Sequence, residues 1–291
     1  MVQRGQALLI VVLVMVVALT VGLSIASRTL TNVRLTSEEV NSQRAFSAAE
    51  AGIEQLLQLY GSNSSKTGSI SNVMLDANTS TKISDASIDP VTPQNVNGAY
   101  QLILNNGAPI SQDDGYDIWL TPFDADPSLL YQSPWPGAGV GHLSIYWGDS
   151  AANTCDPLPA NNTMAAMEVI VIYNSRTDPL VQRYVYDPCS SGRQSANHFT
   201  AISATANPPL GGKTFLYKAT IPITLGLIVR VVPLYASAVV GISADSSLPA
   251  QGQLVQANGV SGSASQVKRQ ISYFQAWNAL PSEYYHALFI R

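Results

Sequence analysis

Charged side chains are scarce, at 12% of the chain, and the basic ones are dispersed, with Lys268-Arg269 the one adjacent basic pair. Nucleic-acid surfaces draw most of their affinity from clustered Lys and Arg, so binding to DNA or RNA is not indicated. Cysteine is nearly absent: Cys155 and Cys189 stand alone, without a C-x-x-C, and His142, His198 and His286 are scattered. That composition offers no zinc set, and no metal or cofactor is expected. The nucleophile elbow G-x-S-x-G and the zincin H-E-x-x-H are also missing, so the chain is not expected to be an enzyme. The remaining near-motifs read as turns. Gly212-Lys213-Thr214 ends like a P-loop, but Asn207 stands where the first glycine belongs, and a strand pattern follows instead of a helix. Gly137 to Gly141 lacks dinucleotide-binding spacing. Asp113-Asp114-Gly115 with Asp117, and Asp124 with Asp126, do not match a calcium loop.

Charge is wholly absent from residues 6–27 (QALLIVVLVMVVALTVGLSIAS). The apolar core from Ala7 to Ala26 would span roughly 30 Å as a helix, the thickness of a bilayer's hydrocarbon layer. A backbone in lipid must satisfy its own N–H and C=O groups, so residues 6–27 are expected to form a transmembrane helix. From Arg28 to Tyr60 there is no proline and Gly52 is the lone glycine, so the helix should continue outside the membrane over residues 28–60. A secretory signal peptide has a shorter apolar region and a non-helical mature start. Ser24-Ile25-Ala26 has the form of a cleavage site, but the helical pattern behind it favours retention. The amino terminus and Arg4 place the front on the cytoplasmic side, while Arg28 and Arg34 behind the span weaken that bias. Further along, Phe46, Ala49, Ile53, Leu56 and Tyr60 recur at spacings of 3 and 4, which predicts one face packed into a globular domain. Residues Ser37 to Arg44 lack such a stripe, and Gly61-Ser62-Asn63 should stop the helix.

Arg4-Gly5, then Gln6-Ala7-Leu8-Leu9, the apolar run, and Arg44-Ala45-Phe46-Ser47-Ala48-Ala49-Glu50-Ala51-Gly52-Ile53-Glu54 resemble the N-terminal region of PilX-type minor pilins and related K-type pseudopilins. The resemblance covers about residues 3 to 60. It implies a leader over residues 1–5, cut by a prepilin peptidase between Gly5 and Gln6. It also implies partners: membrane lipid and other pilin or pseudopilin subunits of a type IV pilus or type II secretion system. Two positions depart from major pilins. Gln6 replaces the usual phenylalanine, and Ile10 stands where a major pilin carries glutamate. That glutamate is thought to pair with a neighbouring subunit's N-terminal ammonium, whose burial without a partner costs several kcal/mol. Ile10 cannot supply the pairing, which favours a minor subunit that primes, caps or decorates a filament. The alternative expectation is a single-pass surface protein that presents an adhesive β-domain and enters no filament.

The rest of the chain should form that domain. Residues 61–97, rich in Ser, Thr, Asn and Asp, read as an irregular connection or short strands. Over 98–206 lie β-type runs at AYQLIL (99–104), YDIWL (116–120), HLSIYW (142–147), MEVIVIY (167–173) and VQRYVYD (181–187), each bounded by turn residues. After a tight loop or hinge at Asn207 to Gly212, residues 207–291 add KTFLYKATIPI, LIVRVVPLY, SAVVGIS, QLVQAN and QVKRQISYFQAW, with Tyr284 to Ile290 as a closing strand. Pro222 and Pro233 push their segments to edges or bulges. Cys155 and Cys189, in an extracytoplasmic setting, are expected to form a disulfide that pins a hairpin. The expected fold class is therefore α+β: a long N-terminal transmembrane helix continuing into an extracellular antiparallel β-sandwich-like domain. The expected location is the inner (cytoplasmic) membrane, with an extracytoplasmic C-terminal domain that reaches the cell surface if the chain enters a filament.

Overall fold

The computed structural model describes residues 3–60, 67–123, 131–148, 155, 164–189, 193–263, 266–277 and 279. Three expectations fall outside these: the helix stop at Ser62-Asn63, the acidic pair Asp124 and Asp126, and the closing strand at 284–290.

Helix α1 (Gln3–Tyr60) runs without a break for 58 residues, about 87 Å at 1.5 Å per residue. It is followed by a largely antiparallel β domain, which makes the chain α+β. The strands in order are β1 (Gly68–Asp76), β2 (Thr81–Pro90), β3 (Gln94–Val96), β4 (Ala99–Ile103), β5 (Tyr116–Trp119), β6 (Gly141–Trp147), β7 (Ala166–Asn174) and β8 (Pro179–Asp187). A short helix α2 (Arg193–Asn197) precedes β9 (Thr200–Ala201), β10 (Tyr217–Ile223), β11 (Gly226–Leu234), β12 (Gly241–Ala244), β13 (Gly252–Ser261) and β14 (Val267–Ala276). They form a four-stranded sheet, β1-β2-β13-β14, and two five-stranded sheets, β10-β6-β12-β4-β3 and β5-β11-β7-β8-β9.

The two five-stranded sheets share one core. Leu143, Ile145 and Trp147 of β6, Ala219 and Ile221 of β10, and Ile242 of β12 cluster with Met167, Val169 and Val171 of β7 and Val229 and Val231 of β11. This is a β-sandwich, with alternate residues of each strand pointing inward. β10 shows the alternation most plainly: Tyr217, Ala219, Ile221 and Ile223 are buried and the residues between them are exposed. β11 is buried on both faces and reads as an apolar run interrupted only by Arg230, which pairs with Asp117. Strands from before and after residue 207 interleave within both five-stranded sheets, so the two β-rich regions of the sequence form one sandwich. The Asn207–Gly212 segment is not a hinge between domains. It leads into a tight turn in which Leu210 and Lys213 exchange backbone hydrogen bonds, with Gly211 and Gly212 at positive φ.

Pro222 lies on β10, an edge strand, as its missing N–H requires. Pro233 lies on β11, between β5 and β7, but beyond the β5 partners, which end at Val231. Its carbonyl instead accepts the Asp113 amide at 2.8 Å.

Of the two readings of residues 61–97, short strands or an irregular connection, the described part carries strands, β1, β2 and β3. The buried positions of β2 are Thr81, Ile83, Ala86 and Ile88. Small and hydroxylic residues among them, and a break in strict alternation, hide the strand from a hydropathy reading.

Chain contacts divide into two compact units, Met1–Leu56 with Ser69–Ser87 and Gln256–Ser272, and Leu57–Gly68 with Ile88–Val255 and Tyr273–Arg291. The first holds most of α1 and of the four-stranded sheet, and the second holds the sandwich.

Candidate functional site

The apolar stretch of α1 is bare. It is long and apolar enough to cross a membrane once, and none of its most apolar part is buried. Ile10 is 60% exposed within it. Gly5 and Gln6 both lie on the helical backbone near its start.

Exposed apolar residues do not end with the lipid-length stretch. Leu30, Val33, Leu35, Val40 and Phe46 remain on the surface, with Leu30 at 72% and Phe46 at 48%. At 100° per residue, Val33 and Val40 line one flank of the helix and Leu35 and Phe46 the other, while Leu30 falls in line with Ala48 at the edge of the buried face. Between these flanks runs the buried face: Ala45, Ala48, Ala49 and Leu56 are fully buried, together with Gly52.

The expected packing face is thus partly displaced. Ala49 and Leu56 are buried, Ile53 and Tyr60 are half-buried, and Phe46 points outward. The reason is the closeness of the sheet. A Cβ added to Gly259 of β13 would overlap the Ala45 carbonyl oxygen and lie 2.6 Å from the Ala49 nitrogen. A Cβ on Gly52 would lie 3.1 Å from Ile83 Cγ2 and 3.2 Å from Ala257 Cβ. Backbones this near admit only Ala and Gly between them, so a phenylalanine ring has to rotate out. Arg269 Nε fixes the approach by donating to Ser42 Oγ at 2.8 Å. Sequence reasoning missed Gly259, although a glycine inside a strand pattern is itself a sign of close backbone approach. Tyr60, near the end of α1, lays its ring against Gly68 where a Cβ would stand.

The second constellation centres on the disulfide. Cys155 and Cys189 are bonded, with Cα atoms 5.4 Å apart and a sequence separation of 34. A loop of that size implies about 3–4 kcal/mol in the chain-entropy account. Two residues upstream, Asp187 is fully buried. Its Oδ1 accepts from the Cys189 amide at 2.8 Å and from Arg193 Nη2 at 2.6 Å. Its Oδ2 accepts from Arg193 Nε at 2.9 Å and Asn197 Nδ2 at 2.7 Å. Burial opposes the charge, but the bonds from Arg193, the Cys189 amide and Asn197 outweigh it and hold the carboxyl below the usual carboxylate range. With its oxygens so occupied, Asp187 is a structural anion and not a poised base. No sequence motif marks this group, because Arg193 and Asn197 reach the carboxylate only once α2 is folded beside the end of β8.

Elsewhere, burial pushes the Tyr116 phenol up to about 12. Asp117 and Arg230 form a buried pair at 3.6 Å across β5 and β11. Trp119, Trp135 and Trp147 are core residues, and Trp277 stacks on Phe123 at 4.9 Å between ring centroids. Among the described residues no three His, Cys, Asp or Glu side chains gather as a metal site. No protein-family model, no curated protein and no solved structure matches the chain.

Proposed function

We propose that the chain is a minor pilin or pseudopilin-like subunit of a type IV pilus-type filament, held in the cytoplasmic membrane before assembly with its β domain outside. The observation that carries this reading is the length of bare apolar helix. A single-pass anchor needs about 20 residues, yet exposed Leu30, Val33, Leu35, Val40 and Phe46 extend the apolar surface well past that length, on both flanks. Such a helix suits a position between neighbouring subunits, with lipid as its solvent only before assembly. Ile10 offers no carboxylate to a neighbour's N-terminal ammonium, which suits a subunit present in few copies. A prepilin peptidase would cut between Gly5 and Gln6.

Mass spectrometry of the native N-terminus tests the reading. A mature chain that begins at Gln6 and co-purifies with a filament or secretion complex is the expected result. Recovery of an intact residue 1–5 peptide from surface-localised protein would overturn it, and a start near Ser27 would indicate ordinary signal cleavage. Failure to co-purify with any such complex would favour a membrane-anchored adhesive module.

A further inference from the structure

After β8 ends at Asp187, the chain returns through Cys189 and α2 to lay β9 parallel to β8. Apart from Cys189, which is buried in the core, and the half-buried Phe199, little apolar burial holds the described part of this return. None of the five residues of α2 is buried, Thr200 and Ala201 are exposed, and β9 offers two ladder positions, Tyr186↔Thr200 and Asp187↔Ala201. Apolar packing against the core resumes at Ile202, which is partly buried. The polar ties converge on Asp187, and their donors (Cys189, Arg193 and Asn197) sit on the return itself. Beyond the return, Arg193 Nη1 donates to the Met164 carbonyl at 2.9 Å, and its guanidinium lies 4.3 Å from the centre of the Tyr235 ring. Tyr235 holds φ at 71°, a conformation a non-glycine residue keeps only when its surroundings enforce it. Its hydroxyl accepts from Asn197 Nδ2 at 3.3 Å.

The attraction within a buried ion pair is largely offset by the desolvation of its two ions. The Asp187–Arg193 pair therefore adds less to docking than its two hydrogen bonds suggest, although the surrounding donors still favour the ionised carboxylate in the docked form. The covalent tie is different in kind, because it restrains the open form as well as the docked one.

We propose that the Cys155–Cys189 bridge is a redox latch on this return. With the bond closed, α2 and β9 stay docked and Asp187 stays buried. With the bond reduced, the return opens locally while the sandwich remains folded. Closing the latch forms one S–S bond from two thiols and passes two electrons and two protons to an acceptor disulfide, which becomes two thiols. A thiol reductant runs the same exchange backwards. Taken with the export proposed above, the return would dock only after the domain reaches an oxidising compartment.

Limited trypsin digestion of the full chain in detergent micelles, oxidised and reduced, tests the latch. Cleavage is read after Arg193, on the return, and after Arg230, which is buried in β11. Reduction should speed cleavage after Arg193 on the order of a hundredfold and leave Arg230 protected. Cys155→Ser in oxidising buffer should reproduce that pattern; if this variant does not fold, the reduced wild-type chain carries the test. Unchanged cleavage after Arg193 on reduction would overturn the proposal. So would equal acceleration at Arg193 and Arg230, since the bridge would then guard the whole fold and not one segment.

Discussion

Gly259→Ala adds a single methyl where β13 meets α1, and its cost follows from what that methyl touches. The new Cβ would overlap the Ala45 carbonyl oxygen and stand 2.6 Å from the Ala49 nitrogen. Both are backbone atoms of a continuous helix, so no rotamer change relieves the clash and the helix or the strand has to shift. Overpacking typically costs 1–3 kcal/mol, and a backbone clash places this one near the top, about 3 kcal/mol. Alanine in a strand interior otherwise recovers roughly 0.5–1 kcal/mol over glycine. The net expectation is a loss of about 2 kcal/mol, or about 4–8 °C in Tm for a domain of this size. Thermal unfolding of the detergent-solubilised chain, followed by far-UV circular dichroism, reads it. Asn258→Ala is the control on the adjacent residue: it removes an exposed hydrogen bond to Asp85, adds no atom against the helix, and should cost about 1 kcal/mol. A Gly259→Ala chain as stable as wild type, or more so, would show that helix and strand are not in backbone contact.

Two further substitutions separate the faces of α1. Leu56→Ala, at a fully buried position, should cost about 2–5 kcal/mol, whereas Phe46→Ala, at 48% exposure, should cost at most about 2 kcal/mol in the isolated subunit. Equal losses in denaturant titrations would refute the assignment of faces, and Phe46→Ala should impair filament incorporation more than stability. Asp187 makes part of the stability acid-labile. Its folded carboxyl titrates below the unfolded value of about 3.9, so its contribution is complete above that value and is lost as pH falls through the folded value. Asp187→Asn should flatten the decline of Tm with acidification below about pH 4, and an unchanged acid profile would count against the buried, ionised carboxylate.

The sandwich was legible because its strands obey period two or are apolar along nearly their whole length. β10 and β11 show the two cases, one buried on a single face and the other on both. The disulfide was legible from cysteine count and the inferred compartment. β1 and β2 were not, because β1 buries only Gly68, and β2 buries Thr81 and Ala86 beside Ile83 and Ile88 out of strict alternation, so small residues dilute the hydropathy signal. The same cause misdirected the helix face. A periodicity reading places the largest apolar residues inward, and Phe46 was the largest on offer. The buried Asp187 illustrates a different limit, since nothing in Tyr186-Asp187-Pro188-Cys189 indicates that Arg193 and Asn197 will fold back onto the carboxylate.

Both outcomes on α1 have one physical root. A helix that seats its small residues against a sheet must turn its large apolar residues to the flanks, where they add little to the fold of a lone chain. Their exposure brings a hydration cost of roughly 25 cal/mol for each Å² left in water, and a partner can remove it. Lipid can cover residues 6–27, but at 1.5 Å per residue Phe46 lies roughly 30 Å beyond Ala26 along the helix axis, outside the hydrocarbon layer. Only other protein surface can cover it there. On that argument the outward turn of Phe46 strengthens the case for neighbouring subunits, where a buried Phe46 would have left the single-pass anchor an equally good account.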